Sequence, residues 1–99
     1  MFARVSTYRG GDPERLLQGF RDATGPLETI DGFSHAYFMV DRESGQGLSI
    51  TIWESEEALR ESAARADELR KQGAETGGAE IESVANYEIG ITAGTPSAR

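Results

Sequence analysis

Apolar and polar residues alternate with a period of two in four stretches of the chain and recur at helical spacing in two others. Phe2 to Arg9 reads as a strand with Phe2, Arg4, Ser6 and Tyr8 on one face and Ala3, Val5 and Thr7 on the other. Gly10 and Gly11 stop it. Asp12 is a good N-cap, and Pro13 suits the first helical position, where its missing N–H costs nothing. Leu16, Leu17, Phe20 and Ala23 then mark a helix that Gly25-Pro26 is expected to end. Gly19 within it costs about 1 kcal/mol relative to alanine, so this helix depends on packing. After Gly32, Phe33, His35, Tyr37 and Met39 alternate with Ser34, Ala36, Phe38 and Val40; Leu48, Ile50 and Ile52 alternate with Ser49, Thr51 and Trp53. The turn between these runs, Asp41 to Gly47, holds two glycines that can supply the positive φ of a hairpin loop. Ser55 caps a second helix, Glu56 to Gln72. Its inner stripe is Ala58, Leu59, Ser62, Ala63, Ala66 and Leu69, with only two large side chains, which leaves room beneath it. Gly73 to Ala79 reads as a glycine-rich connection, and Glu80 to Ile91 as a last strand. A change of parity between Ile81 and Val84 marks a bulge there. Thr92 to Arg99 reads as a frayed tail.

The predicted order is β-α-β-β-α-β, within a single domain over residues 1–91 and a flexible tail over 92–99. Two βαβ-like halves around a central hairpin define an α+β, ferredoxin-like split βαβ fold: a four-stranded antiparallel sheet with both helices on one face. The other face also carries apolar residues, and a sheet apolar on both sides with helices for only one calls for a partner.

Composition narrows the function classes. The 99 residues contain no cysteine, which excludes disulfides, thiolate zinc sites and cysteine nucleophiles. The net charge of −7, with a single lysine, argues against a phosphate-backbone partner. No apolar run approaches the roughly 18 residues that span a bilayer. The Met1-Phe2-Ala3-Arg4 start carries no basic-then-apolar leader, and a cytoplasmic location without nucleic-acid or membrane partners is expected.

The Gly32-Phe33 opening, the Asp41-Arg42-Glu43-Ser44-Gly45 turn and the junction Trp53-Glu54-Ser55-Glu56-Glu57-Ala58-Leu59 carry a resemblance. Together they look like the antibiotic biosynthesis monooxygenase family of the dimeric α/β-barrel superfamily, over Phe2 to about Ile91. The resemblance implies a homodimer whose two sheets meet face to face, with a pocket in each subunit between sheet and helices. It implies oxidation of a phenol, anthrone or quinol-like aromatic by O₂ with no cofactor and no metal. Other members degrade haem, modify small quinones or have no assigned activity. The haem-degrading branch fits badly, because it needs an asparagine on the first strand and a histidine on the second helix. Here the one asparagine is Asn86, and the position about ten residues past Trp53 is Ala63.

Within that expectation, His35 and Trp53 are the candidate catalytic residues. His35, the single histidine, is the one side chain able to carry a proton near neutral pH without a shifted pKa; the bland alternative is a surface or interface histidine. Trp53, the single tryptophan, shares a face with Ser49 and Thr51 that the resemblance places on the pocket, or else it is a core aromatic closing the sheet. Tyr37, Thr51, Tyr8 and Arg4 are candidate substrate contacts: the tyrosines as donors or as half-buried filler, Arg4 as an anion holder or a surface charge. A lone histidine without His or Cys neighbours makes no metal site, and Gly10-Gly11-Asp12 is ordinary at the start of a helix. The competing function is a non-catalytic small-molecule-binding or stress-associated protein on the same fold. The two differ in whether His35 and Trp53 face one cavity.

Overall fold

A computed structural model describes residues 1–94. Its elements run β1 (Phe2–Arg9), α1 (Pro13–Glu28), β2 (Phe33–Val40), β3 (Gly47–Trp53), α2 (Glu56–Glu61), α3 (Ala63–Gly77) and β4 (Glu80–Glu88). All pairings are antiparallel, in the order β2-β3-β1-β4, and the helices pack on one face. This is the expected ferredoxin-like α+β fold. Of the expected tail, 95–99 lies outside the described residues.

The helix starts follow the sequence. Asp12 Oδ2 accepts from the Arg15 N–H at 3.0 Å, and Ser55 Oγ accepts from the Ala58 N–H at 3.0 Å. The helix ends do not. α1 continues through Gly25 and Pro26 to Glu28. Pro26 forfeits one bond, to the carbonyl of Asp22, but Asp22 is exposed and water can satisfy it. The extension buries Leu27 against Ala23, Trp53, Leu59 and Leu69, and Thr29 Oγ1 donates to the Pro26 carbonyl at 2.7 Å to close the end. The second helix is broken at Ser62 into α2 and α3, and Ala63, expected on the inner stripe, is exposed. α3 then runs past Gln72 through Gly73 and stops at Gly78, whose φ of 66° is a left-handed cap. Gly73 is helical because α1 crosses α3 there: a Cβ on Gly19 would lie 2.7 Å from the Gly73 carbonyl oxygen. Gly19 is required by that close approach, whereas a Cβ on Gly73 would make only ordinary contacts, 3.8 Å from Gly19.

Two bulges set the faces of the outer strands. Opposite Thr7/Tyr8 the β4 register slips between Ser83 and Ile81, as the parity change predicts. The second slip, between Phe33 and His35, has no such sign in the sequence. It separates residues the alternation had grouped. Phe33, Ala36, Phe38 and Val40 pair with Trp53, Thr51, Ser49 and Gly47, on the helix side. His35, Tyr37 and Met39 pair with Ile52, Ile50 and Leu48, on the open side. β4 ends at Glu88, three residues short of the expected Ile91, although the Ile89 N–H still reaches the Met1 carbonyl at 2.9 Å.

Candidate active site

Between sheet and helices lies a cavity whose floor is polar and whose walls are apolar. β1 contributes Arg4, Ser6 and Tyr8; β3 contributes Ser49 and Thr51. Phe20, Leu27, Phe38 and Leu69 wall it, and Arg70 enters from α3. The space open to the centre of a water-sized sphere is about 40 Å³, room for about two or three waters by that measure. The small residues Gly19, Ala66 and Gly73 keep the helix layer from filling it.

The floor is held by a chain of side-chain hydrogen bonds. Tyr8 Oη lies 3.3 Å from Ser49 Oγ, and Arg70 Nε donates to Ser6 Oγ at 3.0 Å. Arg70 also donates to Asp67 at 3.0 Å, and Asp67 is shared with Lys71 at 3.1 Å on the surface. Arg4 is 4% exposed. Its Nη1 donates to Ser62 Oγ at 3.3 Å, its Nη2 to the Leu59 carbonyl, and its guanidinium lies 5.5 Å over the Trp53 ring. Among the described residues it has no carboxylate partner. Burial, with the neighbouring charge of Arg70, lowers the Arg4 pKa to about 10. Burial also raises the pKa of Tyr8, outweighing its bond to Ser49, so its phenol is neutral over the physiological range.

Arg4, Tyr8 and Thr51, three of the expected contacts, therefore converge on one cavity. Trp53 does not line it. It is fully buried in the core beside Ala23, Leu27, Leu59 and Leu69, edge-on to Phe33, with Nε1 donating to Thr51 Oγ1 at 2.9 Å. His35 and Tyr37 stand on the opposite face, 5.6 Å apart ring to ring. His35 is exposed, with Nδ1 2.8 Å from Ser34 Oγ. It lines a separate outer groove of about 300 Å³ with Thr24, Glu28 and Ser34, and Leu27 and Phe38 belong to both that groove and the cavity. His35 and Trp53 thus face no common space; the Ser34 bulge is the reason. Ser6, Ser49 and Arg70 complete the site without having been singled out. Parity placed the serines beside Arg4 and Thr51. Arg70 reads as a cation near a helix end, yet it follows Ala66 by four residues and precedes Gly73 by three, on the inner face.

The four-stranded split βαβ fold of this chain is that of the antibiotic biosynthesis monooxygenases. The cofactor-independent oxygenase SnoaB of Streptomyces nogalater superposes with a TM-score of 0.71 at 17% identity, over 92% of this chain and 94% of that one. The monooxygenase ActVA-Orf6 of Streptomyces coelicolor, solved with nanaomycin D, superposes at 0.65 with 22% identity, over 97% and 92%. Rv0793 of Mycobacterium tuberculosis gives 0.66 at 16% identity, over 95% and 100%. No family model matches the sequence. Two uncharacterized Mycobacterium tuberculosis proteins, MT2635 and Rv2558, are each 35% identical over 79 residues. The match covers 78% of this chain and 34% of each, so the chain spans about a third of the length of those relatives.

Proposed function

We propose that this chain is a cofactor-independent monooxygenase for a small aromatic of phenol, anthrone or quinol type. The observation that carries the reading is the cavity: aromatic and aliphatic walls over a floor of neutral hydroxyls and two guanidinium groups, in a fold shared with oxygenases. A water-sized void admits such a substrate only by opening. Leu27 and Phe38 stand between the cavity and the outer groove, and their displacement joins the two into a ligand-sized space.

The chemistry asks little of the protein. The substrate loses a proton to water and becomes an enolate, which the charge of Arg4 favours in a site of low dielectric. The enolate passes one electron to O₂. The substrate radical and superoxide recombine to a carbon-bound peroxide, which takes a proton. For an anthrone, loss of water then leaves the quinone. Tyr8, Ser49 and Thr51 orient the oxygens, and the walls exclude bulk water. His35 lies outside the closed cavity, on the groove that such an opening would join to it, and Trp53 positions Arg4 and Thr51. The open face, with Tyr37, Met39 and Tyr87 about half exposed, is read as the surface of a homodimer. Among the described residues no helix is long and apolar enough to cross a membrane, and a cytoplasmic site of action fits.

A non-catalytic ligand-binding role is the second reading, favoured because His35 and Trp53 face no common cavity and the closed cavity is lined by no histidine or carboxylate. O₂ consumption with anthrone and 1,4-naphthohydroquinone, corrected for autoxidation, separates the two. Uptake that saturates with substrate and falls at least tenfold in Arg4→Met is expected. Saturable binding with no uptake above autoxidation would leave only the binding role.

A further inference from the structure

We infer that Arg4 and Arg70 form a binding site for a carboxylate, and that the aromatic ligand of the cavity carries one. The aromatic part of this statement rests on the function proposed above; the anion site itself does not.

Three observations converge. Arg4 is almost fully buried with no carboxylate partner among the described residues, and only two of its N–H groups are committed, to Ser62 and Leu59. A buried unpaired cation is costly, and a well-packed apolar residue would serve packing better. A second guanidinium, Arg70, whose side chain is 8% exposed, enters the same cavity, so two like charges share one small space. Its carboxylate, Asp67, is about half exposed and divided with Lys71, so it does not neutralise the pair. Third, no Asp or Glu lines the cavity, whereas the polar atoms that do, on Ser6, Tyr8, Ser49 and Thr51, are hydroxyls able to donate to an anion. In a chain of net charge −7 the overall field repels anions. The cationic floor is therefore a local arrangement against that field. A planar carboxylate matches the guanidinium fork better than a round anion does. Bound there, it would place an attached ring toward Phe20, Phe38 and Leu27.

The first test uses formate, small enough to need little opening of the cavity. At constant ionic strength, the Nε–H NMR signals of Arg4 and Arg70, assigned through Arg4→Met and Arg70→Met, should shift together and saturate. Shifts confined to the other arginines, or rising linearly with formate, would overturn the site. The second test compares 1-hydroxy-2-naphthoate with its methyl ester by calorimetry. The acid should bind at least tenfold tighter, the preference vanishing in Arg4→Met and surviving in part in Arg4→Lys, which also controls for misfolding. Equal binding of acid and ester overturns the carboxylate site and leaves the aromatic pocket standing. A saturating formate response with neither naphthalene bound keeps the anion site and removes the aromatic ligand.

Discussion

On the face of the sheet that the helices cover, β1 presents Arg4, Ser6 and Tyr8; on the uncovered face it presents Ala3, Val5 and Thr7. β3 repeats the contrast, with Ser49 and Thr51 inside and Leu48, Ile50 and Ile52 outside. An isolated domain would ordinarily show the reverse. The inner polar groups are tolerable because they bond to one another, and no buried side-chain nitrogen or oxygen among the described residues lacks a partner. On the outer face Ala3 and Ile52 are already buried, Val5, Leu48 and Ile50 are half-buried, and the apolar area left open is that of Tyr37, Met39 and Tyr87. On the reading proposed above, the inner face serves a polar ligand feature within an apolar shell and the outer face a protein surface. On that reading packing and association are split between the faces: Trp53 secures the inner one, where Arg4 also ties β1 to the end of α2 through Ser62 and the Leu59 carbonyl, and Ile50 and Tyr87 belong to the outer one.

The largest effect that can test this split is expected from Trp53→Ala. Emptying a fully buried indole site should cost about 3–5 kcal/mol in urea unfolding. Tyr87→Ala, on the open face, should cost about 0.5 kcal/mol or less in the monomer. Any greater loss should grow with protein concentration, because it acts through association. Equal costs at both positions would erase the distinction between the faces.

Next in size is Ile50→Asp. Ile50 lies opposite Val5 on one side and Tyr37 on the other, at the centre of the open face. A charge there should weaken a face-to-face dimer at least about 100-fold, or roughly 2.8 kcal/mol, in sedimentation equilibrium, with formate binding at Arg4 unchanged. A wild-type protein that sediments as a monomer at all concentrations would leave the open face without its proposed cover.

The smallest effect is a pH dependence. Tyr8 keeps its proton in the folded state above its ordinary pKa of 10.0. Its contribution to stability is therefore complete below that value and is lost as pH rises through the folded one. Arg4 slopes the other way, because burial lowers its folded pKa to about 10, below its ordinary value, and the burden of its charge eases as pH rises. Removing the phenol in Tyr8→Phe should make the fall in urea midpoint between about pH 9 and 11 shallower than in the wild type. An identical slope would mean that the Tyr8 hydroxyl is as well solvated folded as unfolded.

Much of the fold was legible because it rests on local rules. Asp12 and Ser55 announce their helices, and the alternation in β1, β3 and the Ile81–Val84 stretch assigns faces correctly. What was not legible depends on contacts distant in sequence. Gly25-Pro26 looks like a stop until Leu27 is seen to reach the core across the sheet. Gly73 looks like a linker until Gly19 is set against it. Arginine is so rarely buried that Arg4, although placed correctly by parity, reads as a surface charge. For the site, parity found Arg4, Tyr8 and Thr51 but misled on His35, because the bulge at Ser34 adds a residue without leaving a mark in the hydrophobic pattern.

That bulge behaves like a shift of reading frame in space. Every side chain before Ser34 is counted in one phase and every one after it in the other, so its consequences lie downstream rather than at Ser34 itself. Deleting Ser34 would shorten the chain by one residue but would exchange the company of Phe33 or of the strand from His35 onward, whichever yielded. Were the latter to turn, His35, Tyr37 and Met39 would swing toward the helices, and Phe38 would leave the boundary it shares between cavity and groove. In that arrangement a histidine would face the cavity where this protein presents a wall.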